Sequence, residues 1–342
     1  MKAVRVYEHG DVDKLIHEEI EIPRVGPNEV LIQVKACALN HIDLWVREGL
    51  PTMKFPLPLI LGADIAGIVA EVGEVVHHLN IGDAVVVSPG VGCGHCQMCL
   101  WGQDHLCREY RVIGEIRDGG YAEYTAVPGN NVVPMPTNLS FEEAAGIPLV
   151  FITAWNMLIN KAKVKAGEDV LILAAGSGVG SAGVQIAKFA GARVIATAGS
   201  DEKLARAREL GADEVINYSR VDFLQEVKRL THRKGVEVVF EHTGEATWEK
   251  SFLALARGGR LVTCGGTTGP IVNIDLRHLF YRQLSIFGST MGSRGDLVEI
   301  LKFVRTGQLR PVIDEVFPLK EVAKAHLRLL ERKQFGKLVL VP

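Results

Sequence analysis

The stretch Val170-Leu-Ile-Leu-Ala-Ala-Gly-Ser-Gly-Val-Gly-Ser-Ala-Gly183 decides how the rest of the chain is read. Its apolar opening has the length of a buried strand, and its glycines form a turn ahead of a helix predicted over 180–190. Glycine accepts positive φ and carries no Cβ, so the backbone of such a turn can approach a pyrophosphate closely. The helix N-terminus then offers unpaired N–H groups and a partial positive charge to the anion. A glycine run alone is weak evidence, because a tight turn with close helix packing has the same composition, and its context has to decide.

Working outward, that context is a strand–helix alternation. Strands are predicted over 169–175, 193–197, 214–217, 237–241, 260–264 and 284–287, with helices or crossovers between them. Six such strands describe a doubly wound parallel sheet, with Gly176, Ser177, Gly178, Val179 and Gly180 as cofactor-binding candidates. A site for NAD usually carries an acid at the end of the second strand to hold the ribose 2′-hydroxyl. Here Ala198-Gly199 has no carboxylate, whereas Ser200 and Lys203 could bond a 2′-phosphate. Asp201 and Glu202 read as first-turn helix acids. The pattern favours NADP(H) and leaves NAD(H) open, with Tyr218 and Thr243 near the ends of the third and fourth strands as further contacts.

Upstream the rhythm differs. Residues 1–152 carry short β-rich runs at 4–7, 29–37, 67–72 and 84–88, punctuated by Pro and Gly, which suggests a barrel-like β domain. The domains expected are therefore 1–152, 153–288, and a tail over 289–342 that returns to the first. With 342 residues, 47% hydrophobic, 23% charged and a net charge of -2, the chain has no electrostatic footprint for nucleic acid or anionic membrane. No signal peptide or spanning segment is read, and a cytoplasmic protein is expected.

Four of the six cysteines, Cys93, Cys96, Cys99 and Cys107, fall within fifteen residues. Four thiolates at this spacing can wrap one tetrahedral zinc and leave no position for water, so the ion would hold structure only.

Together these features resemble the zinc-containing medium-chain dehydrogenase/reductase superfamily, which includes alcohol dehydrogenases and quinone oxidoreductases. The likeness extends through Gly62-Ala-Asp-Ile-Ala-Gly67, Gly119-Gly-Tyr-Ala-Glu123, Thr153-Ala-Trp155 and Phe335-Gly-Lys-Leu-Val339. It implies a GroES-like β-barrel domain beside a Rossmann domain, a small-molecule substrate, and a homodimer or homotetramer paired through the Rossmann sheet edge at 284–288. It also implies places for Asn40 at the nicotinamide with a hydrogen bond to substrate oxygen, His41 at the pyrophosphate, and Thr153 at the nicotinamide amide. Asp43 reads as orienting its loop and Asp64 as a buried carboxylate near the cleft.

The departures matter as much. Relatives with a catalytic zinc hold it through a Cys where this chain has Asn40, a His where it has Ala63, and a third ligand that 147–152 does not supply. Asn and Ala are poor ligands, and one Asp cannot hold a catalytic ion. The sequence therefore reads as a nicotinamide-dependent reductase of quinones or enones without catalytic zinc. The rivals are an alcohol dehydrogenase and a cofactor-binding sensor without turnover.

Overall fold

Glu29–Ala38 is buried along nearly all its length, and it is the centre of the first sheet in the computed structural model, which describes residues 1–51 and 53–342. The structure divides into two units, Met1–Leu149 with Ser293–Pro342, and Val150–Gly292. In the first unit the sheet runs Val132–Pro134, Ala84–Val87, Asp64–Val72, Glu29–Ala38, Lys337–Val341, Ile313–Pro318, with Tyr124–Pro128 also on the central strand. A second sheet of Ile16–Glu19, Lys2–Val6 and Leu59–Ile60 shares its core, through Val4, Val6, Ile32, Ile60, Ile65 and Leu338. The tail thus completes the first unit's sheet.

Register positions the chemistry. Ala38 lies opposite Asp64 on one side and Val339 on the other, so the residues just beyond it meet both neighbouring strands. There the chain turns into helix α1 (His41–Glu48), which the periodicity did not predict. Eight residues with four buried side chains form a helix here because Asp43 closes its N-terminus, accepting the Asn40 N–H at 2.7 Å.

The second unit is a parallel sheet of β1 (Asp169–Ile172), β2 (Arg193–Ala198), β3 (Glu214–Asn217), β4 (Val236–Glu241), β5 (Leu255–Thr263) and β6 (Ser285–Gly288). Its order is β3-β2-β1-β4-β5-β6, which reverses direction at β1 and β4, the switch point where doubly wound sheets bind ligands. Two bounds differ from expectation by more than one residue. β1 stops at Ile172 because Ala174 adopts φ 44, which no strand continues through. β5 starts at Leu255, earlier than predicted, because Leu255 already pairs with Val236. Helix α2 (Pro148–Trp155) opens the unit and runs on as a π-helical turn over Asn156–Lys161, and α3 (Gly178–Phe189) follows the glycine turn. Among the described residues no helix is long and apolar enough to cross a membrane.

Candidate active site and metal centre

In the first unit, Asn40, Asp64 and Lys337 form one buried cluster. Lys337 Nζ donates to Asn40 Oδ1 at 2.6 Å, Leu39 O at 2.7 Å and Asp64 Oδ2 at 2.9 Å. An ammonium has only these three protons, and Lys337 is 3% exposed, so it is satisfied internally. Asp64, fully buried, also accepts the Leu149 N–H at 2.8 Å and the Asn40 amide at 2.9 Å. Because Lys337 can only donate, the Asn40 amide is oriented without ambiguity: oxygen to Lys337, nitrogen to Asp64. The second Asn40 N–H reaches Ala38 O only at 3.4 Å, a long bond.

A second buried chain starts one turn along α1. Arg47 Nη1 donates to His326 Nδ1 at 3.2 Å, His326 Nε2 faces Tyr121 Oη at 3.3 Å, and Tyr121 donates to Asp43 Oδ2 at 3.1 Å. Arginine cannot accept, so His326 is the neutral tautomer with its proton on Nε2, and every donor in the chain points toward Asp43. Asp43 Oδ1 takes the Gly62 N–H at 3.2 Å. Gly62 has φ 98, and a Cβ there would run into Tyr121 and Cys37, so only glycine fits. Burial pushes the Asp43 carboxyl up to about 6 against the pull of Asn40 N–H, Lys337 and Tyr121. Burial, aided by Arg47, holds His326 down at about 3.

In the second unit, Ala174 and Ala175 are tied to Thr197 on β2, and Ser177 caps α3 by accepting the Gly180 N–H at 2.9 Å. A Cβ at Gly180 would collide with the Ala174 carbonyl, so this glycine sets how closely the helix joins the turn. Gly176 and Ser177 lie in that same turn, and Gly178 and Val179 open α3. At the end of β2, Ser200 caps the next helix through the Lys203 N–H. Asp201 is engaged by Arg220 at 2.8 Å and Asn217 at 2.7 Å, and Tyr218 lies against Gly199. Thr243 donates its N–H to Glu241 at 2.6 Å. Glu241 is fully buried and also accepts from Gly244, Thr247 and Ser251, while His242 reaches Leu173 O at 2.9 Å beside the glycine turn. Thr153, on α2, donates to the Met291 thioether at 3.8 Å. His41 packs near Trp45, ring centroids 6.4 Å apart.

The donor sulfurs of Cys93, Cys96, Cys99 and Cys107 lie within 4.8 Å of one another. Backbone N–H groups of Cys93, Cys96 and Glu109 point at the sulfurs of Cys107, Cys93 and Cys107, at 3.3–3.4 Å, as they would toward thiolates. A four-thiolate set of this kind suits one tetrahedral zinc with no open position. Among the described residues the one other cluster with metal-ligand geometry, Cys93, His95 and Glu109, shares a cysteine with it.

Comparison with known proteins decides the family. A profile described as an alcohol dehydrogenase GroES-like domain matches residues 26–137, and one described as a zinc-binding dehydrogenase matches 178–306. An alcohol dehydrogenase of Geobacillus stearothermophilus is 38% identical over 94% of this chain and 95% of its own. The chain belongs to the zinc-containing medium-chain dehydrogenase/reductase superfamily. It is accordingly an NAD(P)-dependent oxidoreductase that acts on small molecules. Human quinone oxidoreductase is also similar, at 31% identity over 100% of this chain and 98% of its own. A solved NAD-dependent alcohol dehydrogenase superposes with a TM-score of 0.96 at 50% identity, each chain covered in full. As in other members of the superfamily, the glycine turn fits a nicotinamide dinucleotide and the cysteine lobe fits a structural zinc. Lys337, Tyr121, His326, Glu241 and Asn156 were not singled out from the sequence. The one available signal was Lys337, a lysine that opens an otherwise apolar strand.

Proposed function

We propose that this chain is an NADPH-dependent reductase of quinones or conjugated enones that works without a catalytic zinc. What supports the reading is the donor set: Asn40 and Ala63 stand where the family resemblance puts two of the zinc ligands, and Asp64 is paired with Lys337 at 2.9 Å. Bound there, the reduced cofactor supplies a hydride. Without a Lewis acid, the substrate has to stabilise its own charge, and enones and quinones do so as enolates or hydroquinone anions. Asn40 turns its loosely held second N–H to that oxygen, while Lys337 and Asp64 fix the rest of the amide. Asp43 holds the Asn40 backbone and so orients the loop. Gly176 to Gly180 cradle the pyrophosphate, and Thr153 meets the nicotinamide.

Preference for NADPH is supported by the end of β2. Asp201, the acid nearest the adenosine ribose, is tied to Arg220 and Asn217, and Lys203 and Ser200 stand beside it. A homodimer or homotetramer, joined through the edge of β6, and a cytoplasmic location belong to the same reading. Ile286 and Phe287 are partly exposed on that terminal strand, and the six cysteines form no disulfide. The alternative, an alcohol dehydrogenase, is favoured by the names of the relatives at 38% and 50% identity.

The test pairs metal content with turnover. One zinc per chain, with NADPH oxidation by an enone or quinone exceeding oxidation of primary and secondary alcohols, supports the proposal. Two zincs per chain with faster alcohol oxidation would overturn it. Light scattering that gives a monomer at micromolar concentration would remove the oligomer.

A further inference from the structure

Asn156 is fully buried on the π-helical turn that continues α2. A buried primary amide is costly unless its hydrogens are used. Asn156 Nδ2 donates to Met291 O at 2.8 Å and to Ser289 Oγ at 3.0 Å, while Asn160 donates to its Oδ1 at 3.3 Å. Both recipients lie on the segment leaving β6. Met291 within it has φ 53, a left-handed conformation that is unfavourable for a non-glycine residue and persists only where its surroundings enforce it. The Asn156 bond to the Met291 carbonyl is such an enforcement. It turns the Met291 side chain onto α2, where the thioether accepts the Thr153 hydroxyl proton.

We infer that Asn156 and Met291 are positioning residues that set the hydrogen-bond polarity of Thr153 toward the nicotinamide. A threonine hydroxyl has one proton and two lone pairs. With the proton held by sulfur, the oxygen presents lone pairs, which match the N–H donors of a carboxamide and not its carbonyl. The chain Asn156–Met291–Thr153 therefore selects one orientation of the carboxamide, with its N–H toward Thr153. This inference rests on the proposed meeting of Thr153 with the nicotinamide.

The test compares NADPH with the 2′-phosphorylated form of ADP-ribose (called ADP-ribose below), which lacks only the nicotinamide, in wild type, Thr153→Val, Met291→Leu and Asn156→Leu. Binding is followed by the emission of bound NADPH and by displacement with ADP-ribose. Met291→Leu keeps volume and removes only the sulfur, so it reports even if Asn156→Leu folds poorly. The expected result is a loss of about tenfold in NADPH affinity, with shifted emission, in all three variants, and unchanged ADP-ribose affinity. If Thr153→Val leaves NADPH unaffected, the proposed nicotinamide contact fails and this inference with it. If Thr153→Val weakens NADPH while Met291→Leu does not, the contact stands and the positioning role is overturned. Equal losses for both ligands would also overturn it, since they would mark a structural role alone.

Discussion

Replacing His326 by Gln should make the protein gain acid resistance, even if it loses stability at neutral pH. An unfolded histidine takes up a proton near 6.5, whereas His326 stays neutral in the native state down to about 3. Its folded value is depressed, so native stability is lost as pH falls below 6.5, and the loss grows until about pH 3. Between pH 7 and pH 5 this amounts to about 2 kcal/mol. Asp43 works in the opposite sense. Its folded value of about 6 lies above the unfolded 3.8, so the native state takes up that proton first and gains stability as pH falls through 6. The gain is about 1 kcal/mol by pH 5, which leaves the wild type a net loss from the pair. In His326→Gln the first contribution vanishes. The stability change from pH 7 to pH 5 should then be about 2 kcal/mol more favourable than in wild type. Urea unfolding at the two pH values, with labelled-histidine NMR to follow the ring directly, measures this. A His326 resonance titrating near 6.5, or parallel acid losses in both proteins, would refute the buried neutral tautomer.

Other outcomes follow from the same geometry. Lys337→Met should cost about 3–5 kcal/mol, because it leaves Asp64 buried and uncompensated, with Lys337→Arg milder; thermal melting reads both, and an unchanged midpoint would contradict the pairing. Cys99→Ser should lower zinc from one ion per chain toward none and lower the melting temperature, as mass spectrometry and calorimetry would register. Arg220→Ala, which removes the charged partner of Asp201 and leaves only Asn217, together with Lys203→Ala should shift kcat/KM from NADPH toward NADH by about tenfold or more; an unchanged ratio would rule out this end of β2 as the discriminator.

Much of the architecture could be read from local pattern. The glycine turn and the strand–helix alternation specify the second unit because each feature lies within a few tens of residues. The cysteine spacing specifies the lobe for the same reason. What escaped was whatever depends on distant chain. Tyr121 and His326 are 205 residues apart and Asn40 and Lys337 are 297 apart, and no periodicity joins them. Asn40 was expected as a donor to substrate, yet most of its amide is engaged within the protein, a fact fixed by a lysine on the returning tail. Helix α1 was missed because eight residues are too few to display a period.

That returning tail also sets an order of events during synthesis. The second unit, Val150–Gly292, is contiguous, so its strands leave the ribosome in one run and can pair before any later segment is made. The first unit cannot finish then. Its central strand lacks a neighbour, and Asp64 lacks its counter-ion, until Lys337 has been made nearly two hundred residues after Leu149. The half of the molecule translated first is therefore the half that matures last, and a nascent chain paused after Gly292 has emerged would carry a finished nucleotide fold and, in the first unit, an open sheet edge that other chains or chaperones could bind.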